Sequence, residues 1–226
     1  MESSTEQRTT VTNSTGGTSW PQGVYGLPMP TSGCPTDSGF EWETGSRFHD
    51  TEDTNPNNGW SYPLHLKGPY AENDMWQHFC MKTVDRVGDT DPVWPSGQYC
   101  VFKYGPNCPS GMSSESIFWD DENDNNLNSV NGTVPSGVYD QDTLIHYCCM
   151  TNGSPSDPIA LPSHSPFYLF ATMNGCQKVQ GMDESEEWFY WDNDADGTGY
   201  HIGSSLASDL YIDGDLSLHY CYYTMI

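Results

Sequence analysis

The chain of 226 residues has few positive charges. Seven lysines and arginines stand against 31 aspartates and glutamates, which gives a net charge of −24. Proteins that bind nucleic acid or anionic lipid use basic side chains to neutralise phosphates. The composition therefore excludes nucleic acid as an electrostatic partner and opposes docking on an anionic membrane.

Long apolar segments are also absent. No run reaches the roughly 18 apolar residues that a transmembrane helix needs. The start of the chain, residues 1–6, has neither the basic region nor the apolar region of a signal peptide. Residues 1–19 are rich in Ser, Thr, Asn and Gly, so we expect a disordered leader there and one domain over residues 20–226.

Helical periodicity is missing as well. Glycine (22) and proline (16) interrupt the chain every few residues, and no window repeats its apolar residues every 3.6 positions. The apolar runs are short and rich in Tyr, Phe, Ile, Val and Leu, as at 99–104, 143–150, 167–171 and 216–223. This pattern predicts strands joined by turns.

One pattern occurs three times. An aromatic lead-in and a cysteine are followed by aromatics beside an acid, and the unit closes at an aromatic–cysteine pair. The three units begin at Tyr25, Tyr99 and Tyr168 and close at Phe79-Cys80, Tyr147-Cys148 and Tyr220-Cys221. Three such units cannot each bury a core, so they must share one. We expect an all-β domain with pseudo-threefold symmetry, similar to a β-prism, with a β-sandwich or a trefoil as alternatives.

The eight cysteines indicate an oxidised framework. Eight cysteines allow 105 connectivities, and the repeat favours one bridge in each unit. The expected pairs are Cys34–Cys80, Cys108–Cys148, Cys176–Cys221 and, from the remaining two, Cys100–Cys149. Acceptor sequences for N-glycosylation occur at Asn13, Asn131 and Asn152. We therefore expect a secreted protein. We expect this chain to be the C-terminal part of a longer protein with further modules, and unconventional export is the alternative.

Several motifs together resemble the C-terminal domain of apextrin, the ApeC family, over about residues 20–223. The motifs are Trp20-Pro-x-Gly-x-Tyr-Gly-Leu-Pro, Gly33-Cys34-Pro35, Cys108-Pro109-x-Gly111, Trp119-Asp120-Asp121-Glu122, Asp142-Thr143-x-Ile145-x-Tyr147-Cys148-Cys149, Pro166-Phe-Tyr-Leu-Phe170, Cys176-Gln-x-Val-x-Gly-Met182 and Tyr220-Cys-Tyr-Tyr223. A weaker likeness, at the level of fold alone, links the chain to the vitelline-membrane outer-layer β-prism proteins.

The resemblance implies a disulfide-linked extracellular module of invertebrates. It implies recognition of bacterial cell walls, notably peptidoglycan, in innate defence. The founding members of the family are linked to apical extracellular matrix and cell adhesion, which gives a structural matrix protein that binds host glycoproteins as the alternative function. The family is not known as enzymatic, and the resemblance supplies no ligand-binding residues.

Acid clusters follow the tryptophan of each unit, the first of them at residues 50–53, and they are candidates for binding a cation or a sugar. Asp192, Asp194 and Asp196 alternate ahead of Gly197, a spacing that lets three carboxylates converge on Ca²⁺. Asp120, Asp121 and Glu122 form the second cluster. The sequence therefore predicts a calcium site at 192–196, with solvated loop charge as the alternative.

Aromatic and basic side chains supply the remaining binding candidates. The chain has 8 tryptophans and 14 tyrosines, and such rings stack on the apolar faces of sugars. Trp42, Trp119 and Trp191 lie beside acids, so we expect them to contact a glycan or, alternatively, to form the shared core. Trp60, Trp76 and Trp188 flank polar loops and are individually the better exposed candidates, without a motif. Arg47 and Arg86 are the planar, bidentate candidates for the carboxylates of peptidoglycan stem peptides. The other basic side chains that could pair with such carboxylates are Lys67, Lys82, Lys103 and Lys178.

Sequence motifs for catalysis are lacking. The chain has no HExxH, no Gly-x-Ser-x-Gly and no phosphate-binding loop. Pairs of carboxylates suitable for a glycosidase can be chosen anywhere among 31 acids, so they carry no signal. We interpret the chain as a non-enzymatic, secreted module that binds a bacterial cell-wall glycan or glycopeptide through repeated loops, with calcium as an optional cofactor.

Overall fold

The structure is a computed structural model, and it describes residues 19–37, 39–51, 56–85, 92–121, 125–193, 203–210 and 215–226, with the backbone alone at 208–210. These residues form thirteen strands and no helix. The strands are β1 (Tyr25–Pro28), β2 (Glu43–Asp50), β3 (Gly59–Trp60), β4 (Asp74–Lys82), β5 (Gln98–Lys103), β6 (Ser113–Trp119), β7 (Ser129–Gly132), β8 (Gly137–Tyr139), β9 (Thr143–Thr151), β10 (Phe167–Phe170), β11 (Met182–Trp191), β12 (Ser208–Leu210) and β13 (Leu216–Met225).

The strands fall into three units with the same pairing. In each unit a long closing strand pairs with a middle strand on one side and with a short lead strand on the other, always antiparallel. The closing, middle and lead strands are β4, β2 and β1 in the first unit, β9, β6 and β5 in the second, and β13, β11 and β10 in the third. The threefold repeat in the sequence therefore corresponds to a repeated strand order.

The units are joined through their lead strands and by exchanged segments. Strand β5 pairs with β1 and with β10. Strand β7 of the second unit pairs with β2, and β3 of the first unit pairs with β11. Gly203, from the third unit, donates a backbone hydrogen bond to Ser116 in β6, 3.0 Å long. Each unit therefore covers the middle strand of another, which protects edges that would otherwise be open.

The lead strands are buried on both faces. Tyr99 and Val101 of β5 belong to one apolar cluster, and Cys100 and Phe102, which alternate with them, belong to the other. Strands buried on both sides need continuous apolar sequence rather than alternation. The apolar runs at 99–104 and 167–171 correspond to strands of this kind, β5 and β10. These lead strands therefore lie between the two apolar clusters.

Three rings, one from each unit, contact each other beside the apolar cluster that contains Trp119 and Trp191. The ring centroids of Trp119 and Trp191 are 5.7 Å apart, and His49 lies 5.4 Å from Trp119 and 6.2 Å from Trp191. All three side chains are fully buried. The sequence repeat suggests Trp42 as the counterpart of these tryptophans, and the structure corrects this. Trp42 precedes β2, whereas Trp119 and Trp191 end β6 and β11.

Four disulfide bridges connect the strands. They are Cys34–Cys80, Cys108–Cys148, Cys176–Cys221 and Cys100–Cys149, the same pairs that the repeat suggests. Each bridge closes a loop of 40 to 49 residues. In the chain-entropy model, such a bridge reduces the entropy of the unfolded chain and so raises the free energy of unfolding by about 4 kcal/mol. The all-β, disulfide-stabilised fold is confirmed. The β-prism geometry stays a prediction, as do the leader at residues 1–19 and the single domain at 20–226.

The central ring contact predicts a large cost for removing one ring. We expect Trp191→Ala to lower the free energy of unfolding by about 3–5 kcal/mol, because it opens a cavity in a packed core. Trp188, three residues earlier in the same strand, is 38% exposed, and we expect about 1 kcal/mol for Trp188→Ala. Denaturant unfolding with intact disulfides measures both variants, and equal losses would show that Trp191 has no central role.

Candidate ligand-binding face

The tryptophans that the sequence offers for sugar stacking are not equally accessible. Trp119 and Trp191 are fully buried, so neither ring has a free face for a sugar, and both belong to the core. Trp42 is partly buried and packs edge-on against Trp20 at 5.5 Å and Phe40 at 4.9 Å. The expectation of a glycan contact at Trp119 and Trp191 is therefore wrong in this structure.

Arg47 lies inside the protein and is used there. Its Nη2 is 3.4 Å from Oδ2 of Asp121, and both side chains are buried. Its Nε donates a 2.9 Å hydrogen bond to Thr143, and Nη2 donates to the backbone carbonyls of Asp140 and Asp142. Arg47 is therefore engaged within the core and does not reach a ligand carboxylate, which corrects the expectation drawn from its charge.

Asp121 is the acceptor at the centre of the same buried cluster. Its Oδ1 lies 3.1 Å from Nδ1 of His49, and its Oδ2 accepts hydrogen bonds from Thr143 and Asn128. Since Arg47 and His49 come from the first unit and Asp121 from the second, the cluster fixes the position of one unit against the other. Asp121 is thus a structural residue and not part of an exposed sugar site.

Among the acids of the second and third clusters, the structure describes only Asp120 and Asp192 in addition to Asp121. Asp120 and Asp192 are partly buried, and the backbone N–H of Asp192 donates to Asn58 at 2.9 Å. Glu122, Asp194 and Asp196 lie outside the described residues, as does Arg86. In the part of the chain that is described, no three His, Cys, Asp or Glu side chains are grouped closely enough to hold a metal ion. The calcium site at 192–196 remains a prediction.

Three histidines that were not predicted as site residues occupy equivalent positions in the three units. Each closing strand contains the tripeptide His–aromatic–Cys: His78-Phe79-Cys80, His146-Tyr147-Cys148 and His219-Tyr220-Cys221. Because side chains alternate along a strand, the aromatic points into the core and the histidine points to the outer face. All three histidines are partly exposed. The repeated tripeptide is the signal that could have identified them.

The outer faces of the three units follow one plan. His78 lies opposite Ser46, His146 opposite Ser116, and His219 opposite Trp188. Two residues further along each middle strand comes an aromatic on the same face, namely Phe48, Phe118 or Tyr190. Each unit thus presents a histidine and at least one ring to the exterior, on rigid antiparallel strands.

The outer face of the first unit carries a row of three rings. The ring centroids of Phe48 and Trp76 are 5.0 Å apart, and the Trp76 and His78 rings stack at 6.4 Å with an angle of 25° between their planes. All three side chains are partly exposed. The planes of Phe48 and Trp76 are tilted by 42°, so the row is an uneven apolar surface that extends over more than one sugar ring.

A polar pocket adjoins this row at His78. Its volume is about 330 Å³, comparable with small ligand sites. It is lined by Met29, Thr44, Gly45, Ser46, Lys67, His78, Asn131 and Gly132. Lys67 and Asn131 are exposed at its rim. We call this pocket and the adjoining ring row the first-unit face.

Two glycines bring the backbones of β2 and β7 close together beneath the pocket. A Cβ on Gly45 would lie 2.1 Å from the carbonyl oxygen of Thr133. Gly132 has a φ of +68°, and a Cβ on it would lie 2.3 Å from the carbonyl oxygen of Thr44. Only glycine fits such an approach without a shift of the backbone, so these residues shape the pocket wall.

Charge in the pocket comes from Lys67. Burial, followed by the nearby Lys67 charge, lowers the pKa of His78, and a backbone hydrogen bond with Gly68 opposes this effect. The imidazole is therefore mainly neutral at pH 7, because an unperturbed histidine titrates near 6.5. Lys67 then supplies the positive charge in a protein whose net charge is −24.

The outer face of the third unit has the opposite charge. Nδ1 of His219 lies 2.7 Å from the carboxylate of Glu186, and Trp188 is exposed next to them. The exposed carboxylate disfavours an anionic ligand at this face. The first and third faces share their strand pairing but differ in charge, and Lys67 makes the first-unit face better suited to an anion than the face of the third unit.

The described fold and its bridges define a disulfide-stabilised, all-β domain, and four disulfides are consistent with an extracellular protein. The family model of the C-terminal domain of apextrin, ApeC, matches residues 20–223, so the chain belongs to the ApeC family. Searches of curated proteins and of solved structures gave no significant match. Within the described residues, no helix is long and apolar enough to cross a membrane.

The buried ion pair predicts that Arg47 contributes to stability. We expect Arg47→Met to lower the free energy of unfolding by about 3–5 kcal/mol, because Asp121 would remain as a buried charge without this partner. Lys178→Met removes the same charge from a side chain that is 54% exposed, so its effect should stay below about 1 kcal/mol. Denaturant unfolding compares them, and similar stabilities would contradict a structural role for Arg47.

Proposed function

We propose that the chain is a non-catalytic, secreted recognition module that binds bacterial peptidoglycan or a related glycopeptide at the first-unit face. The observation that carries this proposal is the row of Phe48, Trp76 and His78 that ends at a pocket holding Lys67. Membership of the ApeC family supports an apextrin-like extracellular protein as the setting. The ligand itself is our proposal.

Rings and polar groups in this arrangement suit a sugar. The rings of Phe48 and Trp76 offer an apolar surface to the C–H face of a pyranose. Ser46 and Asn131, on neighbouring strands, offer a hydroxyl and an amide for sugar hydroxyl groups. The side chains stand on three paired strands, so a ligand meets a surface that is already ordered.

The charge distribution selects an anionic glycan among possible sugars. Peptidoglycan combines N-acetylated sugars with stem peptides that carry carboxylates. With a net charge of −24, the protein as a whole repels such a polymer, so binding requires a local positive group. Lys67 at the pocket rim provides it, and neutral His78 can donate or accept a hydrogen bond beside it.

The repeated plan of the fold supports a multivalent form of this mechanism. The cyclic exchange of segments among the units is what a β-prism with a pseudo-threefold axis requires, and we propose that architecture for the domain. Each unit then presents its outer face in a different direction. Weak contacts from the two other faces to neutral parts of the same polymer would add to the binding at the first-unit face through effective concentration.

Binding should depend on Lys67 and Trp76. We expect Lys67→Met and Trp76→Ala each to weaken binding of a soluble muropeptide with free carboxylates about tenfold, equivalent to about 1.4 kcal/mol. Isothermal titration calorimetry measures the affinities. The matched controls are Lys178→Met, which removes an exposed lysine, and Trp188→Ala, which removes the exposed ring of the third unit. Both should bind as the original chain does.

Retention on insoluble peptidoglycan, with chitin and cellulose as comparison polymers, tests the class of ligand. Retention on all three alike would contradict recognition of an anionic wall polymer. Retention on none of them, together with binding to host glycoproteins, would favour the matrix or adhesion function. Release of soluble muropeptides in the same assay would indicate an enzyme and overturn the proposal.

A further inference from the structure

Asn131 occupies a position from which a modification would control the first-unit face. It lies on the outer edge strand β7, opposite Ser46 in β2, and it lines the same pocket as Lys67 and His78. The residue is exposed. A group attached to its side-chain amide would stand at the mouth of the pocket.

The sequence around Asn131 is an acceptor for N-glycosylation. Asn131, Gly132 and Thr133 form Asn-x-Thr without proline, and the disulfides are consistent with a compartment in which the glycosyltransferase acts. In the transfer, Nδ2 of Asn131 forms a bond to C1 of a lipid-linked oligosaccharide. The bond from C1 to the pyrophosphate breaks, the lipid pyrophosphate leaves, and the proton lost from Nδ2 passes to a base on the transferase or to water.

The folded structure accommodates a glycan at this site. Asn131 makes no hydrogen bond through its side chain within the described part of the chain, whereas Asn152, in the other described acceptor sequence, accepts a 3.3 Å hydrogen bond from the backbone of Gly97. The hydroxyl of Thr133 donates to Glu43 at 2.6 Å, away from the pocket lining. Attachment at Asn131 therefore displaces no internal contact.

We propose that Asn131 carries an N-linked glycan and that this glycan covers the pocket, so that its occupancy sets access of anionic glycopeptide to Lys67 and His78. The effect of the glycan on ligand binding rests on the proposed function, whereas the attachment of the glycan to Asn131 does not. The glycosylated form is the closed form of the site, and the unmodified form is open. The chain thus has a means of limiting recognition without a conformational change.

The experiment compares glycoforms of the chain secreted from animal cells. Glycopeptide mass spectrometry measures occupancy at Asn131. Thr133→Ala removes the acceptor sequence while it keeps Asn131, and Ser154→Ala removes the acceptor sequence of Asn152 in the same way. We expect Thr133→Ala to bind the soluble muropeptide at least tenfold more tightly than the glycosylated chain, and Ser154→Ala to bind as the glycosylated chain does.

Two further measurements distinguish a glycan that fails to cover the pocket from a pocket that does not bind the muropeptide. Unglycosylated chain, oxidatively refolded from bacteria, tests muropeptide binding alone and should match Thr133→Ala. Acylation by an amine reagent carrying a bulky polymer tests access without any ligand. It should modify Lys67 more slowly in the glycosylated chain than in Thr133→Ala, with Lys178 as the internal reference. Unmodified Asn131, or equal acylation of Lys67 in both forms, overturns the proposal.

Discussion

The apolar core shared by the three units is the constraint on which the rest of the structure depends. Each unit has an inner face that it cannot bury alone, and His49, Trp119 and Trp191 show how the problem is solved, since each unit contributes one ring to a common contact. The buried pair of Arg47 and Asp121 adds a directional link between the first two units. With the inner faces used in this way, the outer faces are left for function.

The separation of inner and outer faces explains how similar units acquire different chemistry. Inner positions must fit each other, and they hold large rings or buried polar groups that bond to each other, such as Arg47 and Asp121. The outer positions around His78, His146 and His219 do not have to fit against another unit. The first unit combines Trp76 with a pocket that contains Lys67, while the third combines Trp188 with Glu186. In a protein with seven lysines and arginines, the position of Lys67 is therefore enough to distinguish the face of the first unit from that of the third.

Much of the fold could be predicted from the sequence. Trp76 and Lys67 could also be named as separate candidates, but their arrangement in one site could not be predicted. The spacing of cysteines and aromatics indicated three units and the four disulfide pairs, because those features repeat along the chain. Burial could not be deduced in the same way. Arg47 has the charge of a ligand-binding residue, but its environment comes from residues about a hundred positions away, such as Thr143. The pocket lies where β2, β4 and β7 pair, and the register of that pairing decides which side chains line it. The register cannot be deduced from the sequence alone.

The claim that the first-unit face is the ligand site is tested most directly by the indole N–H resonances of the intact, disulfide-bonded chain. These signals report separately on Trp76, at the proposed site, and on Trp188, at the exposed face of the third unit. Titration with a soluble muropeptide that has free carboxylates should shift the Trp76 signal in a saturable way and leave the Trp188 signal in place. A saturable shift of Trp188 with an unchanged Trp76 signal would place the ligand on the third unit and contradict the account.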